Sequence, residues 1–441
     1  MFPGINAAGL LLRMLFSATL ILPTAAGAQT QEPLLQQAQA ALEKKDYAEA
    51  AQVLETYLAK NPQDYRAGFN LAFAYSLTGR RAEAIRLYQG VLAQEKELVP
   101  AHLNLGILLA EEGQAAEAVE HLRFVAEKQP ENFGALLQLA QAFSALKRLP
   151  EAREAYERAL KLKPDDAAAH LAYARLLVET DPASAESHLR SAWQADASLD
   201  DAKLLLASVL ENRAAGGADT LGEAAAIYRQ YLETHPERLD LRLRLGEIYA
   251  RQKRYPEAVV QWEVARMAGD SSPGLLRALL EAYLVGPARD SDKALGLVDL
   301  ILQQAVQKGT NDAEMRLLSG RLRMDKKQYP EAAEQFRRVT ELQPNSAEGY
   351  TNLASALYLL KDYLGTVAAL AKVTELGQDT AGTYFLRAIT LDKLGFFEPA
   401  LANYQRFLAS DTKKNPDQEF QARERSKVLS RELKRGRSRR R

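Results

Sequence analysis

Residues 99–130, VPAHLNLGILLAEEGQAAEAVEHLRFVAEKQP, decide the fold. The stretch reads as two short amphipathic helices with a turn at Gly113. Leu105, Gly106 and Leu109 fall on the first helix, and Ala118 and Leu122 on the second. Pro130 ends the unit, because proline has no N–H to give and disfavours helical geometry in the residue before it.

The same unit returns on both sides. A column of small residues runs Ala50, Ala84, Ala118, Ala152, Ala185, Ala224, Ala258, Ala294, Ala332, Thr366 and Ala400. Its spacings are 34, 34, 34, 33, 39, 34, 36, 38, 34 and 34. Four residues further on stands a second column, mostly large: Leu54, Tyr88, Leu122, Tyr156, Leu189, Tyr228, Trp262, Val298, Phe336, Leu370 and Tyr404. Pro62, Pro130, Pro164, Pro236 and Pro344 form a third column. One two-helix unit cannot bury its own apolar face, so such units stack. The small residue lets two backbones approach, and the large one fills the space beside it. Thr78-Gly79, Glu112-Gly113 and Leu394-Gly395 are the turns inside units.

These residues resemble the tetratricopeptide repeat family. The resemblance lies in Leu105-Gly106, Ala118 and Pro130; in Leu71, Tyr75, Ala84 and Tyr88; in Leu245-Gly246, Tyr249, Ala258 and Trp262; and in Gly320, Ala332, Phe336 and Pro344. It covers residues 31–414. It implies an all-α, right-handed superhelical solenoid of about eleven helix–turn–helix units. Residues 415–435 then read as a capping helix started by Pro416, with Phe420, Val428, Leu429 and Leu433 as its apolar positions. The final GRSRRR reads as disordered.

The phase slips mark the organisation. A regular array is expected over residues 29–198, irregular units over 199–312, and a second array over 313–414, before the capping helix and basic tail of 415–441. The longest step inserts a loop at residues 214–220 (AAGGADT). Extra residues also stand at 286–292 (GPARDSD) and around 307–311. Thr366 replaces the expected alanine in the unit of residues 347–380.

Residues 1–28 read as a secretory signal peptide. Arg13 precedes the apolar run MLFSATLIL, Pro23 breaks it, and Ala26-Gly27-Ala28 offers a small-x-small cleavage site. The run is too short to span a bilayer, which needs about 20 residues. An exported protein of bacterial type, periplasmic or secreted, is the expectation. The 441 residues contain no cysteine, so disulfides, thiolate metal sites and a lipid-anchored N-terminal cysteine are excluded.

No sequence pattern for catalysis is present. The chain has no GxSxG, phosphate-cradling glycine loop, HExxH or Rossmann fingerprint. His102, His121, His170, His188 and His235 show no metal-ligand spacing. No cofactor, metal or catalytic residue is expected.

What remains is a surface for another molecule. The resemblance places the first helix of each unit on a concave face. Counting units from Gln31, Tyr65, Val99 and Phe133, the sixth position holds Gln36, Asn70, Asn104 and Gln138, and later Asn352. A side-chain amide donates and accepts, so such a row grips a peptide backbone without reading its sequence. Local hydrogen bonding is the other use of the same residues. Phe69, Phe73, Leu103, Ile107 and Leu137 stand beside them, either as partner anchors or as packing within the array. The lysines and arginines that the family uses to clamp a terminal carboxylate are largely missing, Arg66 being isolated.

Charge balances overall, 57 basic against 57 acidic residues, but not locally. Residues 421–441 carry ten Lys/Arg and two Glu. For an exported chain this basic stretch fits an anionic envelope surface better than nucleic acid; a merely solvated tail is the plain alternative. The expected function is a non-catalytic protein–protein interaction scaffold of the bacterial cell envelope, with a protein or extended peptide in its groove. An accessory or carrier subunit that docks an envelope enzyme or glycan machinery is the alternative, and an intracellular RNA-binding role a third.

Overall fold

The computed structural model describes residues 33–213, 218–410 and 415–439. The expected signal peptide, part of the expected loop (residues 214–217) and the last two residues lie outside the described residues. Within them the chain forms 23 α-helices and no strand. Contacts divide it into two compact units, one ending at Tyr231 and one starting at Leu232.

The first unit is a stack of helix pairs: α1 (Pro33–Glu43) with α2 (Tyr47–Leu58), α3 (Tyr65–Leu77) with α4 (Arg81–Gln94), and α5 (Val99–Glu111) with α6 (Ala115–Lys128). It continues with α7 (Phe133–Ala145) and α8 (Leu149–Leu162), α9 (Ala167–Leu177) and α10 (Pro182–Ala195), then α11 (Asp200–Arg213) and α12 (Ala218–Thr234). The unit boundary falls in the last turn of α12.

The second unit holds α13 (Leu239–Arg251) with α14 (Tyr255–Met267), α15 (Pro273–Leu284) with α16 (Ser291–Gln307), and α17 (Ala313–Asp325) with α18 (Tyr329–Leu342). After α19 (Ala347–Leu359) with α20 (Tyr363–Glu375) and α21 (Ala381–Lys393) with α22 (Phe397–Ser410), it ends in the single helix α23 (Pro416–Arg439).

The sequence columns are the core. Every member of the small column is fully buried, Thr366 included, and every member of the large column is buried too. Thr366 is tolerated because its hydroxyl donates to Asp362 O at 2.7 Å, so no polar group is left unpaired. A Cβ at Gly106 would lie 2.7 Å from Leu122 Cγ, which is why the Leu-Gly pair belongs on the first helix. At three places a tyrosine ties one helix pair to the pair before it. Tyr75 donates to Glu55 at 2.5 Å, Tyr173 to Glu157 at 3.1 Å and Tyr283 to Glu263 at 2.7 Å.

Turns inside the units share one backbone device. Gly79, Gly113 and Gly395 have positive φ, and so do Lys45, Lys147, Lys253, Lys327 and Lys361 at the equivalent places. At Gly113, the N–H of Gln114 donates back to Leu109 O at 2.8 Å, closing the last turn of α5. The left-handed residue is what allows that closure.

Three sequence expectations change. The loop of residues 214–220 is shorter, because α12 already starts at Ala218. The insertion at 286–292 forms a 3-10 turn, Gly286–Ala288, before α16 begins. The last helix continues beyond residue 435 to Arg439, so much of the stretch read as disordered is helical backbone. In that helix Ala422 and Leu429 are buried, while Phe420 and Val428 face solvent.

Candidate functional site

The first helices carry the expected site, and their packing decides what it exposes. In the first unit, first helices lie on their own second helices, and from α3 to α9 they also touch one another: α5 meets α3 on one side and α7 on the other. Three faces of α5 are therefore covered.

The expected apolar anchors go to those covered faces. Phe69, Phe73, Leu103, Ile107 and Leu137 are all buried in one core cluster. Phe69 meets the ring of Tyr88 edge-on at 5.5 Å, and Phe73 meets Tyr47 at 6.0 Å. These five side chains build the wall of the array and offer a partner no surface as they stand. The structure supports their packing role.

The amide row divides. Asn70 is half-buried and open to solvent. Asn104 is 0% and Gln138 1% exposed. Asn104 Nδ2 donates to the Tyr88 hydroxyl at 3.0 Å. That phenol is fully buried, and burial pushes its pKa above its ordinary value. Asn104 Oδ1 has no donor and Gln138 Nε2 no acceptor. The two lie one repeat apart at the same position of α5 and α7. A buried, unpaired amide atom costs roughly 1–3 kcal/mol, so both are stored polar capacity. Arg66 stays near its own helix, with its Nε 3.3 Å from the Tyr65 hydroxyl.

Histidines form an arrangement that the sequence reading missed. His102 and His121 face each other, Nδ1 to Nδ1, at 2.8 Å, and His170 and His188 do the same at 2.9 Å. Nε2 of His102 lies 2.9 Å from Lys96 O, and Nε2 of His170 lies 2.7 Å from Pro164 O. The signal was there in phase: His102 and His170 occupy the fourth position of units two repeats apart. Among the described residues, no group of three or more His, Cys, Asp or Glu is placed to hold a metal ion.

Two open cavities lie elsewhere. One of about 570 Å³ in the second unit is bordered by Arg277, Gln304, Lys308, Asp312 and Glu314. The other, about 420 Å³, lies in the first unit between Arg123, Phe143, Glu151, Glu154 and Arg158. Both carry mixed charge spread around a rim.

Comparison with known proteins agrees with the columns. One family model, described as Tetratricopeptide repeat, matches residues 41–106 and 109–176, and a second with the same description matches 213–271. A third, described as TPR repeat, matches 320–361. No curated protein shows significant sequence similarity to the chain. Among solved structures, a tetratricopeptide repeat protein from Parabacteroides merdae is 18% identical, with 57% of this chain and 98% of that one covered and a TM-score of 0.40. MamA from Desulfovibrio magneticus RS-1 is 21% identical, over 38% of this chain and 95% of that one, with a TM-score of 0.36. A chain of Naa15/Naa10 bound to HypK-THB is 16% identical, over 87% of this chain and 64% of that one, with a TM-score of 0.38. Together the family models match more than half of the residues. The chain belongs to the tetratricopeptide repeat family.

Proposed function

We propose that this protein is a non-catalytic interaction scaffold of the bacterial cell envelope, holding a partner protein or extended peptide along the first-helix face of its first unit. The amide row carries the reading. Asn70 is partly exposed, and at the same position one and two repeats on, Asn104 Oδ1 and Gln138 Nε2 are a buried acceptor and a buried donor with no partner among the described residues. A peptide main chain offers the complementary donor and acceptor at every residue. Phe69, Phe73, Leu103, Ile107 and Leu137 shape the wall from within. Export through the N-terminal segment places the scaffold in the periplasm or outside the cell. An anionic envelope surface reached through the basic C-terminal stretch fits the same role.

The test is capture of a partner from envelope extract, with Asn70→Ala/Arg66→Ala bait beside the parent and beside a bait truncated after Ser410. Truncating Phe69 or Ile107 instead would open a core cavity at a cost of about 2–5 kcal/mol and confuse binding with folding. Loss of a partner with the double variant, and its retention without the C-terminal stretch, supports the first-helix site. Retention with the double variant sinks it. Fractionation of cells tests the location independently.

A further inference from the structure

We propose that the outward face of α23 is a contact surface for an anionic phospholipid bilayer. The inward face is fixed. Ala422 and Leu429 are fully buried in a cluster with Phe385, Tyr404 and Phe407. Arg425 reaches Asp392 on α21 with both guanidinium arms, Nε to Oδ2 at 2.6 Å and Nη2 to Oδ1 at 2.8 Å. A bidentate pair of this kind sets geometry as well as attraction. It holds the helix at one rotation about its own axis.

That rotation decides what faces water. Phe420, Lys427, Arg431 and Lys434 are seven, four and three residues apart, so at 3.6 residues per turn they form one stripe. All four are exposed. Phe420 is 69% exposed and Val428, at the margin of the stripe, 38%. A helix that only closed a stack would keep its phenylalanine inside, as the sequence pattern expects. Here the aromatic ring is exposed two turns before Lys427, with Asp417, Arg423 and Glu424 at the adjoining turns. Lys427 pairs with Glu424 at 2.7 Å, but Arg431 and Lys434 make no ion pair among the described residues. Residues 425–441 carry nine Lys/Arg against the single Glu432.

The mixture selects the partner. A duplex takes up the cations but keeps its bases stacked inside, away from the ring; a single strand, whose bases do stack on aromatic rings, is the competing occupant, and the expected export argues against it. The interface of an anionic bilayer takes both, the cations at the headgroups and the ring at the acyl boundary. Each basic residue close to such a leaflet is worth about fivefold in partitioning. This inference deepens the reading of an anionic contact through the basic stretch and rests on it. It is independent of partner binding on the first helices.

The experiment is co-sedimentation of the full chain with phosphatidylcholine vesicles, with and without 30% phosphatidylglycerol, across a salt series. Binding is expected only with phosphatidylglycerol, weakening as salt rises. Arg431→Glu/Lys434→Glu should reduce it by about twentyfold or more, and Phe420→Ser by severalfold, with thermal melting unchanged because all three side chains point outward. Phe420→Trp should show a blue shift of its added emission on the anionic vesicles. If binding disappears with residues 435–441 but ignores Phe420, Arg431 and Lys434, the face is wrongly assigned while the basic stretch keeps its role. Binding to neutral vesicles equally, or displacement from lipid by duplex DNA at equal phosphate, or no binding at all, overturns the proposal.

Discussion

His102 and His121 share one proton across a 2.8 Å gap between their Nδ1 atoms. A carbonyl accepts only, so the contact of His102 Nε2 with Lys96 O places a proton on that nitrogen. Neutral His102 then has a bare Nδ1, and His121 Nδ1–H donates to it. The pair accommodates one positive charge. A second would put hydrogens on both facing nitrogens and break the contact. His170 and His188 repeat the arrangement two units on.

The two pairs make the first unit acid-sensitive. Burial, then the charge of the paired ring, lower the pKa of His121, opposed by Glu120. The same two causes lower that of His188, opposed by Glu157 and Asp181. A histidine whose folded pKa is depressed favours unfolding when protonated. The stability tied to it is full above the unfolded value near 6.5 and is lost as pH falls below it. Tm should be level from pH 8 to 7 and decline below about pH 6.5. His121→Leu/His188→Leu should flatten that decline. An unchanged slope in the double variant would show that other groups carry the acid response.

The left-handed turn lysines offer a second test. Lys45, Lys147, Lys253, Lys327 and Lys361 have φ between 59° and 63°, where a Cβ crowds the following carbonyl. That conformation costs roughly 1–2 kcal/mol for an L-residue, against a glycine entropy cost of about half that. Lys147→Gly should therefore raise stability by about 0.5–1 kcal/mol, and Gly113→Ala at the equivalent turn should lower it by about 1–2 kcal/mol. Urea unfolding of the two variants reads both signs. A destabilised Lys147→Gly would mean that its side chain makes a contact worth more than the strain.

How far the sequence could be read follows from what each feature leaves on the chain. The small and large columns were legible because close backbone approach demands a particular size at one phase of the repeat, and all of those positions are buried. The turn lysines were hidden because lysine has no preference for positive φ; only their alignment with Gly79 and Gly113 marks them. The histidine pairs were hidden for another reason. His102 and His121 are 19 residues apart and meet only when α6 folds back on α5. On the first helices, the sequence grouped the five apolar residues but not their depth. Ile107 and Leu137 are buried in the core cluster that the stacked pairs form together.

Gly246 packs against the indole of Trp262, and a Cβ there would lie 2.2 Å from its Nε1 and 2.5 Å from its Cδ1. Ala72 and Ala140 fill the equivalent position beside Tyr88 and Tyr156, so the helix accepts a Cβ there and the placing of the Trp262 ring is what excludes one at Gly246. Gly246→Ala should destabilise by about 1–3 kcal/mol through overpacking, despite alanine's better helix propensity. It should also disturb the indole, whose Nε1 donates to Leu243 O at 3.3 Å, and so change the tryptophan emission. Neutral stability with unaltered emission would contradict the packing described.

Gln138 separates stability from binding. Its Nε2 is buried and unpaired, so the folded protein carries a desolvated donor with nothing to receive it. Gln138→Leu removes that donor at nearly the same volume and should raise stability by about 1–2 kcal/mol. Asn104→Leu is the contrasting variant. It removes an unpaired oxygen but also the 3.0 Å bond to the Tyr88 hydroxyl, so its net change should be small. If the amide row serves a partner's main chain, the stabler Gln138→Leu protein should capture that partner less well. Sites kept for function often cost stability in this way. A Gln138→Leu variant that is both less stable and unimpaired in capture would remove the amide row from the site and return Gln138 to the packing of α7.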